Sequence, residues 1–199
     1  MSPLKRLSRQ IRNVRELGEL SDVGEIARRY FAMNAFDGAL TIIGVLVGSY
    51  AAGVVRASVV VTTGMSTALA MGISGLWGAT LTESAERKRS LNRLEEATLS
   101  DLADTRLARA SRVAVVIVAL TDSLAPVGSS LLVLLPFFLI PLIGDVKIAY
   151  YSSLALGLVV LFALGVFLGH ISRSNMVIAG LKTVSAGLVS IVVGFALQP

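Results

Sequence analysis

Residues 31–55 read FAMNAFDGALTIIGVLVGSYAAGVV, and the reading of this run decides the fold. A helix needs about 20 residues to cross a hydrocarbon core of about 30 Å, so the run is long enough to span a membrane. Its one ionisable residue is Asp37. A carboxylate near the centre of a membrane helix costs roughly 2.5–3.5 kcal/mol on insertion scales. Asp37 therefore calls for a compensating partner.

Outward from this run the pattern repeats. Apolar spans are predicted at 32–54, 58–81, 113–140, 148–169 and 176–197. The 199-residue chain is 54% hydrophobic and 16% charged, with a mean hydropathy of +0.77. Such a composition belongs to integral membrane proteins. Backbone groups in hydrocarbon must bond within their own segment, so the spans are helices. The expected fold class is all-α, a polytopic membrane protein with five transmembrane helices. The expected organisation is a basic N-terminal segment at 1–31, helices one and two at 32–81, a polar helical segment at 82–112, and helices three to five at 113–197.

Lysine and arginine concentrate in 1–31 and 82–112, whereas the linkers at 55–57 and 141–147 hold only Arg56 and Lys147. The positive-inside rule then places the N-terminus in the cytoplasm and the C-terminus outside, in the cell membrane. The net charge of +5 reflects this topology, and no aromatic-interleaved basic platform of a nucleic-acid binder accompanies it. The first thirty residues are charged, so no cleavable leader is expected. Leu4, Leu7, Ile11 and Val14 alternate with Lys5, Arg6, Arg9, Arg12 and Arg15. That spacing predicts an amphipathic helix over 4–20 lying on the bilayer or a partner helix, or else a partly ordered topogenic tail. Ser21 and Asp22 are candidate caps for a helix running through Glu25.

The absence of cysteine excludes disulfides and thiolate metal sites, and the single His170 excludes a histidine cluster. The acids lie on different spans without a nucleophile motif, so an enzyme is not expected. Within the first span Gly44 and Gly48 form a small-xxx-small pair, which serves either packing inside the chain or a dimer seam beside Asp37. Gly72, Gly75 and Gly78 recur every three residues in the second span and predict a smooth face for tight helix contact. Met71, one residue before that face, is either gap-filling core or a soft ligand.

Segment 82–112 has no glycine or proline, and it carries Glu83 and Glu86. Glu83 and Arg87 stand at i and i+4, as in a solvated, ion-paired helix that continues the second span. In the third span Asp122 precedes Pro126 by four residues. Proline has no N–H, so the Asp122 carbonyl loses its helical partner. The result is either a carbonyl and a carboxylate open to a cation, or a packing kink with Asp122 satisfied by hydroxyls. Asp37 and Asp122 each come early in a span, with Gly44 and Gly128 following. Spans one–two and three–four thus read as a weak parallel repeat.

Asp37-Gly38 opening the first span, Met71-Gly72 with Gly75 in the second, and Glu83 and Glu86 just beyond it resemble the vacuolar iron transporter family. The resemblance covers about 25–197 and suits a short-loop prokaryotic-type member, since 82–112 is short and lacks methionine. It implies export of ferrous iron or manganese from the cytosol with proton exchange, through a homodimer whose pathway lies between the subunits. It also implies that Asp37 and Met71 are the core metal ligands and that Glu83 and Glu86 begin a cytoplasmic metal-collecting segment. Asp122 is the expected secondary site or relay. A carboxylate with a thioether suits a borderline transition ion better than Mg2+ or Ca2+. The expected partners are the divalent metal ion, protons, the lipid bilayer and a second copy, with no resident cofactor. The rival expectation is a structural or partner-binding membrane protein in which Asp37 and Asp122 only hold helices together.

Overall fold

The computed structural model describes residues 23–196. Over these residues the chain forms α1 (Val23–Ala51), α2 (Ala57–Thr98), α3 (Arg106–Phe138), the short α4 (Ile140–Ile143), α5 (Val146–Ile171) and α6 (Met176–Ala196). All but α4 are long and apolar enough to cross a membrane. The helix and cap expected over 4–22 lie outside the described residues.

Helix bounds differ from the predicted spans wherever polar residues extend a helix beyond its apolar run. Helix α1 begins at Val23, ahead of the apolar run, and α3 begins at Arg106. Helix α2 holds 42 residues without a break, about 60 Å at 1.5 Å per residue. Nothing between 82 and 98 interrupts it, because that stretch lacks glycine and proline. Helix α3 likewise runs through Pro126 and Pro136.

Three helices end in the same way. Val54 N–H bonds the Ser49 carbonyl, Ser100 N–H that of Glu95, and Ser174 N–H that of Gly169. Each is the six-residue closure of a Schellman motif, with the preceding residue left-handed. Gly53 fills that position in α1 without strain, whereas Leu99 (φ 50°) and Arg173 (φ 52°) fill it in α2 and α5. Asp145 accepts from Lys147 N at 2.8 Å and caps α5. Asn175 accepts from Val177 N and Ile178 N and caps α6.

The chain divides into two compact units, one comprising residues up to 31 with 74–122, the other 32–73 with 123 onward. The larger unit is built on Ile42, Ile43, Leu46 and Val47 of α1, Val60 of α2, Val133 and Leu134 of α3, and Leu161 of α5, all fully buried. Its helices approach closely where side chains are missing. A Cβ on Gly38 would stand 2.5 Å from the Pro126 carbonyl oxygen and 2.6 Å from Pro126 Cα. Ser130 Oγ donates to the Gly38 carbonyl across the same contact, at 3.3 Å. Thr183 Oγ1 donates to the Leu161 carbonyl and ties α6 to α5. An aromatic group closes one end: Tyr50 and Phe137 meet Tyr150 edge-on, and the Tyr150 hydroxyl donates to the Val54 carbonyl at 3.0 Å.

The smaller unit has its own core of Val23, Ala79, Ala114, Val118 and Ala119. Trp77 is 65% exposed on α2, near the end of the apolar part of that helix. In the turn between α2 and α3, Glu95 Oε1 accepts from Leu102 N and Asp101 Oδ1 from Ala103 N. Thr105 Oγ1 accepts from Ala108 N and caps α3.

Two stability predictions follow from the backbone. Leu99→Gly removes a left-handed leucine that is 92% exposed, so it should stabilise the protein by about 0.5–1 kcal/mol. Gly38→Val should destabilise by about 1–3 kcal/mol through overpacking, while Gly44→Val, with open space at its Cβ, should leave the subunit's own packing intact. Thermal unfolding of the purified variants in detergent measures all three.

Candidate functional site

In the larger unit Asp37 lies on the outward side of α1. Ala35, Ala39, Ile42, Ile43 and Leu46 are buried, whereas Met33, Asp37, Thr41, Gly44 and Gly48 are exposed. These five stand three or four residues apart and form one stripe along the helix. The Asp37 carboxylate makes no hydrogen bond or ion pair among the described residues. Among the described residues it is therefore not an enclosed carboxylate.

The glycines settle a question of packing. A Cβ on Gly44 or Gly48 would meet nothing within 4 Å. Among the described residues, nothing packs against either glycine as the more ordinary use of such a pair would require. Gly38 is the opposite case, since it serves the approach of α1 to α3 described above.

Met71 is half-buried on α2, beside Gly72. A Cβ on Gly72 would stand 2.7 Å from Val127 Cγ2 and 3.2 Å from the Ser123 carbonyl oxygen. Met71 thus borders the tight α2–α3 contact. The other side of α2 in this unit exposes Thr62, Thr63 and Ser66.

The smaller unit holds the remaining candidates. Glu83 does not stand in solvent as an ion-paired surface helix would have it: its side chain is 14% exposed. Glu83 Oε2 accepts from Arg87 Nε at 3.2 Å, and Oε1 accepts from the Tyr30 hydroxyl at 3.4 Å. Glu86 is exposed. Asp122 is 8% exposed and lies within electrostatic reach of Tyr30. Tyr30, which opens no motif, was not legible as a partner of Glu83. Its position before the first apolar run was the one available sign.

The Asp122 carbonyl lies on the α2 side of α3. It faces Gly75, where a Cβ would stand 2.7 Å from it. The oxygen that Pro126 deprives of its helical partner is thus covered by a helix with no side chain at that point. Gly72 and Gly75 both serve close contact, but a Cβ on Gly78 would meet nothing within 4 Å. The smooth face is two glycines long. Among the described residues, no three His, Asp or Glu side chains of one chain gather in a metal-holding group.

The five apolar helices define a multi-pass helical membrane protein. No family model matches the chain. It is 32% identical over 178 residues to Uncharacterized protein MJ0645 of Methanocaldococcus jannaschii, an alignment that covers 88% of this chain and 90% of that protein. The chain belongs to the family of that protein.

Removing the carboxylate that joins Tyr30 to Arg87 tests the arrangement in the smaller unit. Glu83→Gln should lower stability by about 1–3 kcal/mol, since it leaves a shielded guanidinium without its counter-charge. Glu86→Gln, at an exposed position, should change it by no more than about 0.5 kcal/mol. Paired thermal melts give the comparison.

Proposed function

We propose that the protein is a membrane transporter of the vacuolar iron transporter type, exporting Fe2+ or Mn2+ from the cytosol in exchange for protons. One observation carries this reading: Asp37, which has no hydrogen-bond or ion-pair partner among the described residues, faces outward from an apolar helix on a stripe with the open Gly44 and Gly48. A charge so placed is costly in lipid, and small residues on the same stripe allow a second helix to come close. A second copy docking α1 against α1 would bring two Asp37 carboxylates together, and a divalent cation between them would balance their charge.

In this reading Met71 supplies a thioether from α2, which favours a borderline ion over a hard one. The exposed hydroxyls of Thr62, Thr63 and Ser66 line part of the passage. Protons held by the empty carboxylate pair leave when metal enters, which links the two movements. Of the two glutamates beyond the span, Glu86 is the one free to collect metal, because Glu83 already serves Arg87 and Tyr30. Asp122 acts as the secondary site.

A structural reading is favoured for one residue. Asp122 is buried, and its carbonyl is packed against Gly75, so it also suits a role in holding helices. That reading does not extend to Asp37, which makes no hydrogen bond or ion pair among the described residues.

Two measurements test the proposal. In proteoliposomes, Asp37→Ala should abolish Fe2+ and Mn2+ flux and Met71→Leu should reduce it; undiminished flux in the Asp37 variant refutes the reading. Because the native chain has no cysteine, Gly44→Cys should form an oxidant-dependent dimer in membranes, whereas a cysteine at the buried Leu46 should not.

A further inference from the structure

A groove of about 320 Å3 lies in the smaller unit, between the polar part of α2 and the start of α3. Leu91, Ala108 and Val115 form its apolar floor, and Arg87, Lys88 and Arg112 stand around it. Ser84 and Ser111 add hydroxyls to the same lining, and Ala103 closes the end at the α2–α3 turn. No carboxylate is among the described residues that line it. Of the nearby acids, Glu83 is engaged with Arg87, Glu95 with Leu102 N and Asp101 with Ala103 N, and Glu86 is exposed outside the lining. Arg87 is thus partly neutralised, whereas Lys88 and Arg112 are exposed.

The level of the groove along the helices matters as much as its charge. Arg112 immediately precedes the apolar run that opens at Val113, and Ser84 follows Leu81, the last apolar residue of the second run, by three positions. The cations therefore stand where two membrane spans emerge, and Val115 lies just inside the apolar run. A soluble phosphate would use the cations and hydroxyls but not the apolar floor. A neutral lipid would use the floor but not the excess positive charge. A basic pocket between helices at the interface matches a lipid that carries net negative charge on its phosphate.

We infer that this groove binds an anionic phospholipid. Lys88 and Arg112 meet the headgroup phosphate, Ser84 and Ser111 donate to its oxygens, and the first acyl carbons lie over Val115. Arg87, held by Glu83, forms the fixed wall of the site.

The test uses the full-length protein in neutral detergent, titrated with phosphatidylglycerol, phosphatidylcholine or inorganic phosphate and read by native mass spectrometry. Phosphatidylglycerol should bind the wild type more tightly than phosphatidylcholine does. The double variant Lys88→Gln/Arg112→Gln should bind it roughly 10- to 30-fold more weakly, given the contribution of each interfacial cation. Arg93→Gln/Arg173→Gln removes the same charge outside the groove and should leave the affinity unchanged. Val115→Ser should weaken the lipid and leave inorganic phosphate unaffected. The inference is overturned if both charge variants lose lipid equally, if phosphatidylcholine binds as well as phosphatidylglycerol, or if inorganic phosphate displaces the lipid at equal concentration. The altered side chains Lys88 and Arg112 are exposed, so both should fold, and unchanged helical circular dichroism checks this.

Discussion

A proline in a membrane helix leaves a carbonyl without its donor, and in hydrocarbon no water is at hand to replace it. Pro126 has no N–H to offer the Asp122 carbonyl, and small residues pack around that turn of α3. Gly75 lies against that oxygen, where a Cβ would stand 2.7 Å away. Gly72 lies against Ser123 and Val127, and Gly38 against Pro126 itself. Ser129 Oγ donates to the Pro126 carbonyl and Ser130 Oγ to that of Gly38. Glycines and short hydroxyls thus stand at several contacts of this turn. Bulk at any of these positions would separate the helices and strand the polar groups between them.

This arrangement gives α1 its orientation. With Gly38 and Ala39 turned inward, Asp37, about 100° and 200° round the helix from them, falls on the exposed stripe. The outward carboxylate is thus consistent with the helix rotation that turns Gly38 and Ala39 inward. The pair Asp37-Gly38 is a unit in this sense: one residue fixes the helix rotation, and the other supplies the chemistry that rotation exposes.

The spans were legible in the chain because hydrocarbon constrains every residue of a helix, and long uncharged runs are hard to mistake. Their ends were less so. Polar residues carry α2 to Thr98 and start α3 at Arg106, and hydropathy is silent about where a water-exposed helix stops. The faces were the least legible. In a soluble helix apolar residues mark the inside, but lipid accepts them outside as well. Met33 and Ala35 illustrate this, one half exposed and the other buried, with nothing in their polarity to separate them. The same holds for three glycines of α1: Gly38 is packed while Gly44 and Gly48 are open. The candidate residues could be picked out by their cost or their chemistry. Their partners, such as Tyr30 for Glu83, depend on long-range contacts that no local pattern encodes.

The lone tryptophan has a practical meaning of its own. Trp77 stands exposed on α2, seven positions before Ser84, about 10 Å along the helix axis. With no second indole in the chain, intrinsic tryptophan emission comes from one position on α2. Its wavelength reports how wet that position is, and brominated lipids would quench it according to their distance. The native protein therefore carries an optical gauge of its own immersion in the bilayer, without any label.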